Sequence, residues 1–537
     1  MSSVATTPRK RVMDEVVPLA LERAPADCPV DVALFVKLYY ANVSLEDLRA
    51  RTPADLAGSA LQHLGSATQR KRGRPLMRIF NPDAKTDGWS SEHTVVEIVN
   101  DDMPFLVDSL GMVINGLDLY IHLTVHPVLI VRRDAEGNLL EILSSIEDAS
   151  DAQYESFIHL EIDRESDRKV LRELERGIKK ALTDVRGAFE DWSAMRRKTR
   201  DICRDLEENP PPLEQAVVDD AQAFLEWMDD DHFTFLGYRE YELIKGAEFD
   251  TLEVKPGTGL GILRKPSRSS SAGSAVIGRA IRRHARSKDL LILTKANSRS
   301  NVHRVGYLDY VGVKHFDSAG RVVGEKRFLG LFTSVAYSRS PRSIPVLRHK
   351  VQNVMTHSGL RPGSHGGKAL LHILDRFPRD ELFQASVEEL SRITNGILNL
   401  QERQEIRLFV RRDAFRRFFS CLVYIPRDRY NTQVRERIES ILSTALNGTQ
   451  VESEVQMSES KLARVHFIVR TDPENPPRVR LAALEKSISA AVRTWQDGLH
   501  DYLVQRFGEE QGLILFRRHG HVFPAAYIED VTVREAT

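Results

Sequence analysis

Hydrophobic and polar positions along this chain follow two periods, and the switches between them mark its elements. Thr94 to Asn100 is a β-branched run (Val95, Val96, Ile98, Val99) closed by the turn-forming pair Asp101-Asp102. Leu106, Leu110, Val113, Ile114 and Leu117 then recur at helical spacing, and Pro104 stands where a first-turn proline belongs. Ile121 to Arg132 predicts one long strand. Asp134 to Gly137 predicts a hairpin turn, with a glycine free to take positive φ, and Leu139 to Ser144 the returning strand. A further strand is expected at Phe157 to Ile162. Asp167 to Trp192 lines up Val170, Leu174, Ile178, Leu182, Val185 and Phe189 on one helical face. The order is β-α-β-β-β-α.

A similar order recurs near the C-terminus. Strands are expected at Phe419–Ile425, Gln450–Met457 and Ala463–Arg470, a helix through Val434, Ile438, Ile441 and Leu442, and a long helix from Arg478 to about Phe507. Between the two units the pattern changes. Asn209-Pro-Pro-Pro212 breaks the chain before a helix at Leu213–Met228 and a strand at His232–Ile244; Ser267 to Ser274 is a serine-rich loop. A hairpin joins Val305–Phe316 to Arg321–Phe332 across Asp317 to Gly320, and Pro341 to Leu400 is helical with breaks at Gly359–Gly367 and Pro378. Asp31–Tyr40 and Leu45–Leu64 read as short helices, and Arg70–Pro75 as a basic loop. The expectation is a multidomain α+β protein with ferredoxin-like units joined by helical segments. Its regions are 1–90 helical, 91–200 a first unit, 210–340 a second α/β unit with the long hairpin, 341–403 a helical linker, 404–510 a third unit, and 511–537.

Composition narrows the function classes. With 76 basic and 76 acidic residues among 537, no global field draws the chain to nucleic acid or an anionic membrane. The clusters Arg70–Arg74, Arg196–Arg200 and Arg279–Lys288 are read as solvated helix faces or subunit salt bridges. Cys28, Cys203 and Cys421 are too few and too scattered for a disulfide framework or a zinc cluster. Met1 to Arg11 has no apolar stretch behind it, and Val125–Val131, the longest apolar run, contains His126 and Pro127. A cytoplasmic protein is expected, binding neither nucleic acid nor membrane.

The motifs for chemistry fail in informative ways. Gly257-Thr-Gly259-Leu-Gly261 puts Ile262 where a dinucleotide loop needs its third glycine, and no helix opens behind it. Gly363 to Lys368 lacks both the first glycine and the hydroxyl residue of a phosphate loop. His122, His126, His159, His519 and His521 have no metalloprotease spacing, so no metal ligands are assigned. The loop Asn100 to Phe105 is different, because it joins a buried strand to a helix N-terminus. Free N–H groups there suit a ligand's carboxylate and the acids suit its amino group. The candidate effector residues are Asp101, Asp102, Pro104, Phe105 and Asp108; Asp102 serves equally well as a plain helix N-cap. No catalytic residues are assigned.

Several blocks resemble the large bacterial NAD-specific glutamate dehydrogenases. They are Val99–Ser109, Asp231–Tyr238, Thr294–Arg304, Phe328–Ser334, Pro378–Phe383 and Val522–Tyr527. The resemblance implies ACT-like domains, which often bind amino acids, joined by helices that take part in oligomer assembly. It also implies a separate domain further along that oxidises glutamate to 2-oxoglutarate and ammonia with NAD. No glycine-flanked lysine segment or nucleotide fold of that domain is found before Thr537. The expectation is therefore a regulatory and oligomerisation region without a catalytic core or cofactor of its own, with NAD belonging to the parent enzyme. Its expected partners are other copies, the parent's catalytic region and an amino-acid effector. The alternative is a stand-alone amino-acid sensor. Phe105 departs from the glycine that many amino-acid-binding ACT domains carry after the loop proline.

Overall fold

The computed structural model describes residues 8–145, 151–247, 249–265, 275–277, 279–400, 403, 405–457, 460–473, 475 and 477–536. The serine-rich loop expected at 267–274 lies outside them. Four helices open the chain: α1 (Pro8–Arg23), α2 (Val32–Tyr39), α3 (Leu45–Arg49) and α4 (Pro53–Ser66). Asp31, Ser44 and Thr52 start the last three by accepting the N–H groups of Leu34, Asp47 and Asp55.

A first antiparallel sheet follows. Its strands are β1 (Leu76–Phe80), β2 (Thr94–Asp101), β3 (Ile121–Val125), β4 (Val128–Arg133), β5 (Leu139–Leu143) and β6 (Gln153–Ile162), with α5 (Leu106–Asn115) after β2 and α6 (Arg168–Glu208) after β6. The strand order is β1-β2-β6-β4-β5, and β3 also pairs with β6. The single strand expected from Ile121 to Arg132 is thus two. Pro127 has no N–H for the ladder, so pairing lapses there and resumes at Val128 on the same partner. Alternation sends Val96, Ile98, Ile158 and Leu160 to the α5/α6 side, and Val99, Phe157, Leu123 and Leu129 to the side covered by α1–α4. Burial on both faces explains why apolar residues stand side by side at Val95–Val96 and Ile98–Val99 instead of alternating with polar ones.

Helix α6 continues far past Trp192, to a length of about 62 Å, and its second half (Met195, Ile202, Leu206) joins the core of a second layer. There α7 (Gln215–Trp227) leads through one π-helical turn into β7 (Phe233–Lys245). Next come β8 (Asp250–Val254), β9 (Leu260–Gly261), β10 (Ala275–Ile277), α8 (Arg279–Ala285), β11 (Leu291–Arg299), β12 (Tyr307–Phe316), β13 (Val322–Phe332) and α9 (Ser334–Ser338). The order is β10-β8-β7-β13-β12-β11, antiparallel throughout, with β9 on β7. The Gly257–Gly261 run is a packing turn. Gly261 has φ +61, a Cβ on it would overlap the Leu236 carbonyl, and its N–H donates to Asp191 of α6 at 2.7 Å.

Helices α10 (Leu347–Ser358), α11 (His365–Asp375), α12 (Arg379–Gln384) and α13 (Val387–Leu400) come next, interrupted where Gly359 and Pro378 predict. The last sheet contains β14 (Arg407–Arg412), β15 (Phe418–Pro426), β16 (Gly448–Gln456) and β17 (Leu462–Thr471) in the order β14-β15-β17-β16. Helices α14 (Thr432–Ala445) and α15 (Leu481–Val492) cover one face. The helix expected from Arg478 to Phe507 is divided, because extended Thr494 closes a capping box with Asp497 and starts α16 (Trp495–Phe507). Then come α17 (Glu509–His519) and α18 (Ala525–Asp530). Leu484 and Ile488 serve the core of the last sheet, and Trp495 Nε1 donates to the Val531 carbonyl at 2.7 Å. Among the described residues, no helix is long and apolar enough to cross a membrane.

Candidate functional site

The predicted loop is built, but much of its polar capacity is already engaged. Asp101, at the end of β2, is held by Arg70 at 2.7 Å and Arg186 at 2.6 Å, and also accepts the Gly73 N–H. Burial acts against its charge, yet the two guanidinium groups outweigh that and hold its carboxyl below the usual range. Asp102 accepts from Ser156 Oγ at 2.6 Å and does not cap α5. The N-cap is Phe105, in left-handed conformation with φ 72, and its ring packs on His303 with centroids 4.5 Å apart. Its side chain makes no capping hydrogen bond. Pro104 is exposed, just before the helix. Asp108 is exposed, 3.8 Å from His303 Nδ1, and the Ser109 hydroxyl accepts the His303 N–H at 3.2 Å. The segment around His303 therefore lies against this loop.

The basic clusters are corrected by the same geometry. Arg70 is fully buried on Glu155, which Arg133 also binds at 2.7 Å. Arg196 and Arg200 both hold Asp229, and Arg282 and Arg286 both reach the buried Asp250. These residues form ion pairs within the chain. Sequence spacing gives no hint of it, because every acid partner comes from a distant segment.

A cavity of about 1180 Å³ lies where β11–β12, α12 and the β16–β17 edge meet. Two of the motif blocks, Thr294–Arg304 and Pro378–Phe383, come together here. Lys295 spans to Asp309 at 2.7 Å and Asp380 at 3.1 Å. Burial acts against its charge, but those two carboxylates raise its pKa above the ordinary amine value. Arg379 is buried without an acid partner. One of its nitrogens donates to the Arg339 carbonyl at 2.7 Å, and Nε and Nη1 donate to nothing. Burial pulls its pKa down. Arg470 lies over the Tyr307 ring at 3.5 Å with Nε unpartnered, and Arg304 donates to the Phe332 carbonyl at 2.9 Å and lies over the Tyr337 ring at 5.7 Å. Among the described residues, no carboxylate pairs with Arg304, Arg379 or Arg470. The cleft lining thus brings cations without a carboxylate partner together with the acids Asp380 and Glu454. Sequence reasoning missed these residues. The available signal was the set of charges (Lys295, Arg304, Arg379, Asp380) inside two unusual blocks.

Comparison with known proteins follows the same division. The model described as glutamate dehydrogenase, ACT1 domain, matches residues 35–178; helical motif 1 matches 344–403, the ACT2 domain 407–496, and helical motif 2 502–537. The NAD-specific glutamate dehydrogenase of Halomonas elongata is 37% identical over 516 residues, covering 96% of this chain and 32% of that protein. By its domains, the chain belongs to the glutamate dehydrogenase family. The Pseudomonas aeruginosa NAD-specific glutamate dehydrogenase is 38% identical over 93% of the chain and 31% of its own length. The Mycobacterium tuberculosis one is 28% identical over 83% and 27%. The chain therefore spans about a third of the length of the curated glutamate dehydrogenases it matches. In this family's terms, the cleft lies where helical motif 1 and the ACT2 sheet meet the central sheet.

Proposed function

We propose that these residues are the regulatory and assembly region of an NAD-dependent glutamate dehydrogenase, and that the cleft binds an anionic amino acid as effector. The reaction itself, oxidation of L-glutamate to 2-oxoglutarate and ammonia with NAD, is assigned to the part of the enzyme that this chain does not span. The observation that carries the effector reading is Arg379, a buried guanidinium with two nitrogens unbonded at the wall of a large interdomain cavity. A carboxylate satisfies such a fork in two places. An α-ammonium would find Asp380 or Glu454, which line the same cleft. A ligand held by helical motif 1 and the two sheets at once changes how they pack, as a regulator must. The Asp101–Asp108 loop ranks second as an effector position, since its acids Asp101 and Asp102 are already bound within the chain.

The test is a pair of measurements on the purified chain. With L-glutamate and NAD it should form no NADH; turnover would overturn the division of labour. Millimolar L-glutamate or L-aspartate should raise its melting temperature, since a ligand at 100 times its Kd stabilises by about 2.7 kcal/mol. Loss of that shift in Arg379→Gln, and its survival in Asp108→Ala, would place the effector in the cleft. The reverse pattern would place it at the loop.

A further inference from the structure

The outer face of the first sheet, beneath α1–α4, buries three polar side chains whose facing atoms have nothing to bond. Glu97 of β2 and His159 of β6 are direct cross-strand partners, and His63 of α4 meets them from the helical layer. They are 2%, 1% and 0% exposed. Both Glu97 oxygens, both His159 ring nitrogens and His63 Nε2 make no hydrogen bond. The close approaches are His159 Nδ1 to Glu97 and His159 Nε2 to Glu161, each 3.7 Å, and Arg78 Nη1 to Glu97 at 3.9 Å, all too long to serve as one. An unsatisfied buried polar group costs roughly 1–3 kcal/mol, so five such atoms in one buried cluster need a physical reason.

We propose that His63, Glu97 and His159 form a binding site for a divalent transition-metal ion of the zinc type, ligated through His63 Nε2, His159 Nδ1 and the Glu97 carboxylate. One candidate ligand atom from each residue lies within 4.8 Å of the others. Zinc ligands sit about 2.0–2.2 Å from the ion, hence about 3.3 Å apart around a tetrahedron. Small side-chain rotations close the difference. Two imidazoles and one carboxylate are a zinc-type donor set that leaves a fourth position open.

The surroundings support ligation. Tyr39 Oη lies 2.9 Å from His63 Nδ1, so an Nδ1–H donating to it leaves the Nε2 lone pair aimed at the ion. Glu161, anchored by Arg51 at 2.6 Å, faces the far nitrogen of His159, an outer carboxylate behind a ligating imidazole. A cavity of about 720 Å³ is lined by Ser59, Trp89 and Glu161, the last of which faces His159.

The experiment titrates Co2+ into the chelator-stripped chain, following visible absorption and melting temperature, with Zn2+ as competitor. The proposal expects one equivalent bound, the visible bands of a four- or five-coordinate site, bleaching by Zn2+, and a higher melting temperature with either metal. Glu97→Gln and His159→Gln, checked for folding by circular dichroism, should lose the bands. Absence of both bands and thermal shift in the unaltered chain would overturn the proposal and leave an internal His159–Glu97 ion pair. Bands that persist in both folded variants would also overturn it, by placing the metal elsewhere.

Discussion

The first and last sheets bury the same kinds of residue on the face turned away from α5/α6 and α14/α15, and differ in whether those residues are satisfied. On the last sheet, Glu381 comes down from α12 onto Arg411 of β14 and is bound at 2.7 Å through each oxygen, while His466 shares a 2.9 Å hydrogen bond with Ser420. Burial acts against the Glu381 charge, but Arg411 outweighs it and keeps the carboxyl below the usual range. On the first sheet, Glu97 and His159 are as buried as Glu381 and make no hydrogen bond at all. The closed group is a structural joint between sheet and helices; the open one is read as a place for a ligand. The same contrast separates Arg411, bound to Glu381 of α12, from Arg379 of that same helix.

The comparison breaks most visibly if the closed group is opened. Arg411→Ala should cost roughly 3–5 kcal/mol in urea unfolding, because it strands Glu381 in the interior. Replacing the pair together, as Arg411→Met with Glu381→Leu, should recover most of that loss. If Arg411→Ala costs under about 1 kcal/mol, the distinction between the two faces fails. Acid sharpens the point. Because Glu381 titrates below its ordinary value of 4.5 when folded, its contribution is present above that pH and is lost as pH falls below it. The unaltered chain should therefore lose stability more steeply below that value than the double replacement, by acid unfolding curves. Glu97→Gln in the metal-free chain breaks no hydrogen bond and should shift stability by only about 1 kcal/mol. Arg379→Gln should be the mildest for stability, within about 1 kcal/mol, while weakening anion binding at least tenfold.

Most of the scaffold is legible from hydrophobic period alone. The segments β2, α5, β6, α14 and β17 lie where the pattern puts them, because each buries an apolar face that the chain announces. Edge strands are harder. In β14, Arg407, Arg411 and Arg412 hide the strand signal, and Arg411 is buried only because Glu381 meets it from α12. The second half of α6 is similarly masked by Arg196 to Arg200, although Met195, Ile202 and Leu206 keep helical spacing. The candidate sites are least legible. Glu97 faces His159 only through the β2–β6 register, and Arg379 and Arg470 line one cleft only through tertiary packing. The loop at Asp101–Asp108 was readable as a loop, but the engagement of Asp101 by Arg70 and Arg186 was not.

Calorimetric titration of L-glutamate and L-aspartate into the purified chain tests the central claim, that unsatisfied buried cations mark the regulatory cleft. The account predicts saturable binding of an acidic amino acid, weakened at least tenfold in Arg379→Gln and Arg470→Gln while Asp108→Ala binds normally. No heat from any acidic amino acid, or binding untouched by either arginine replacement, would contradict it.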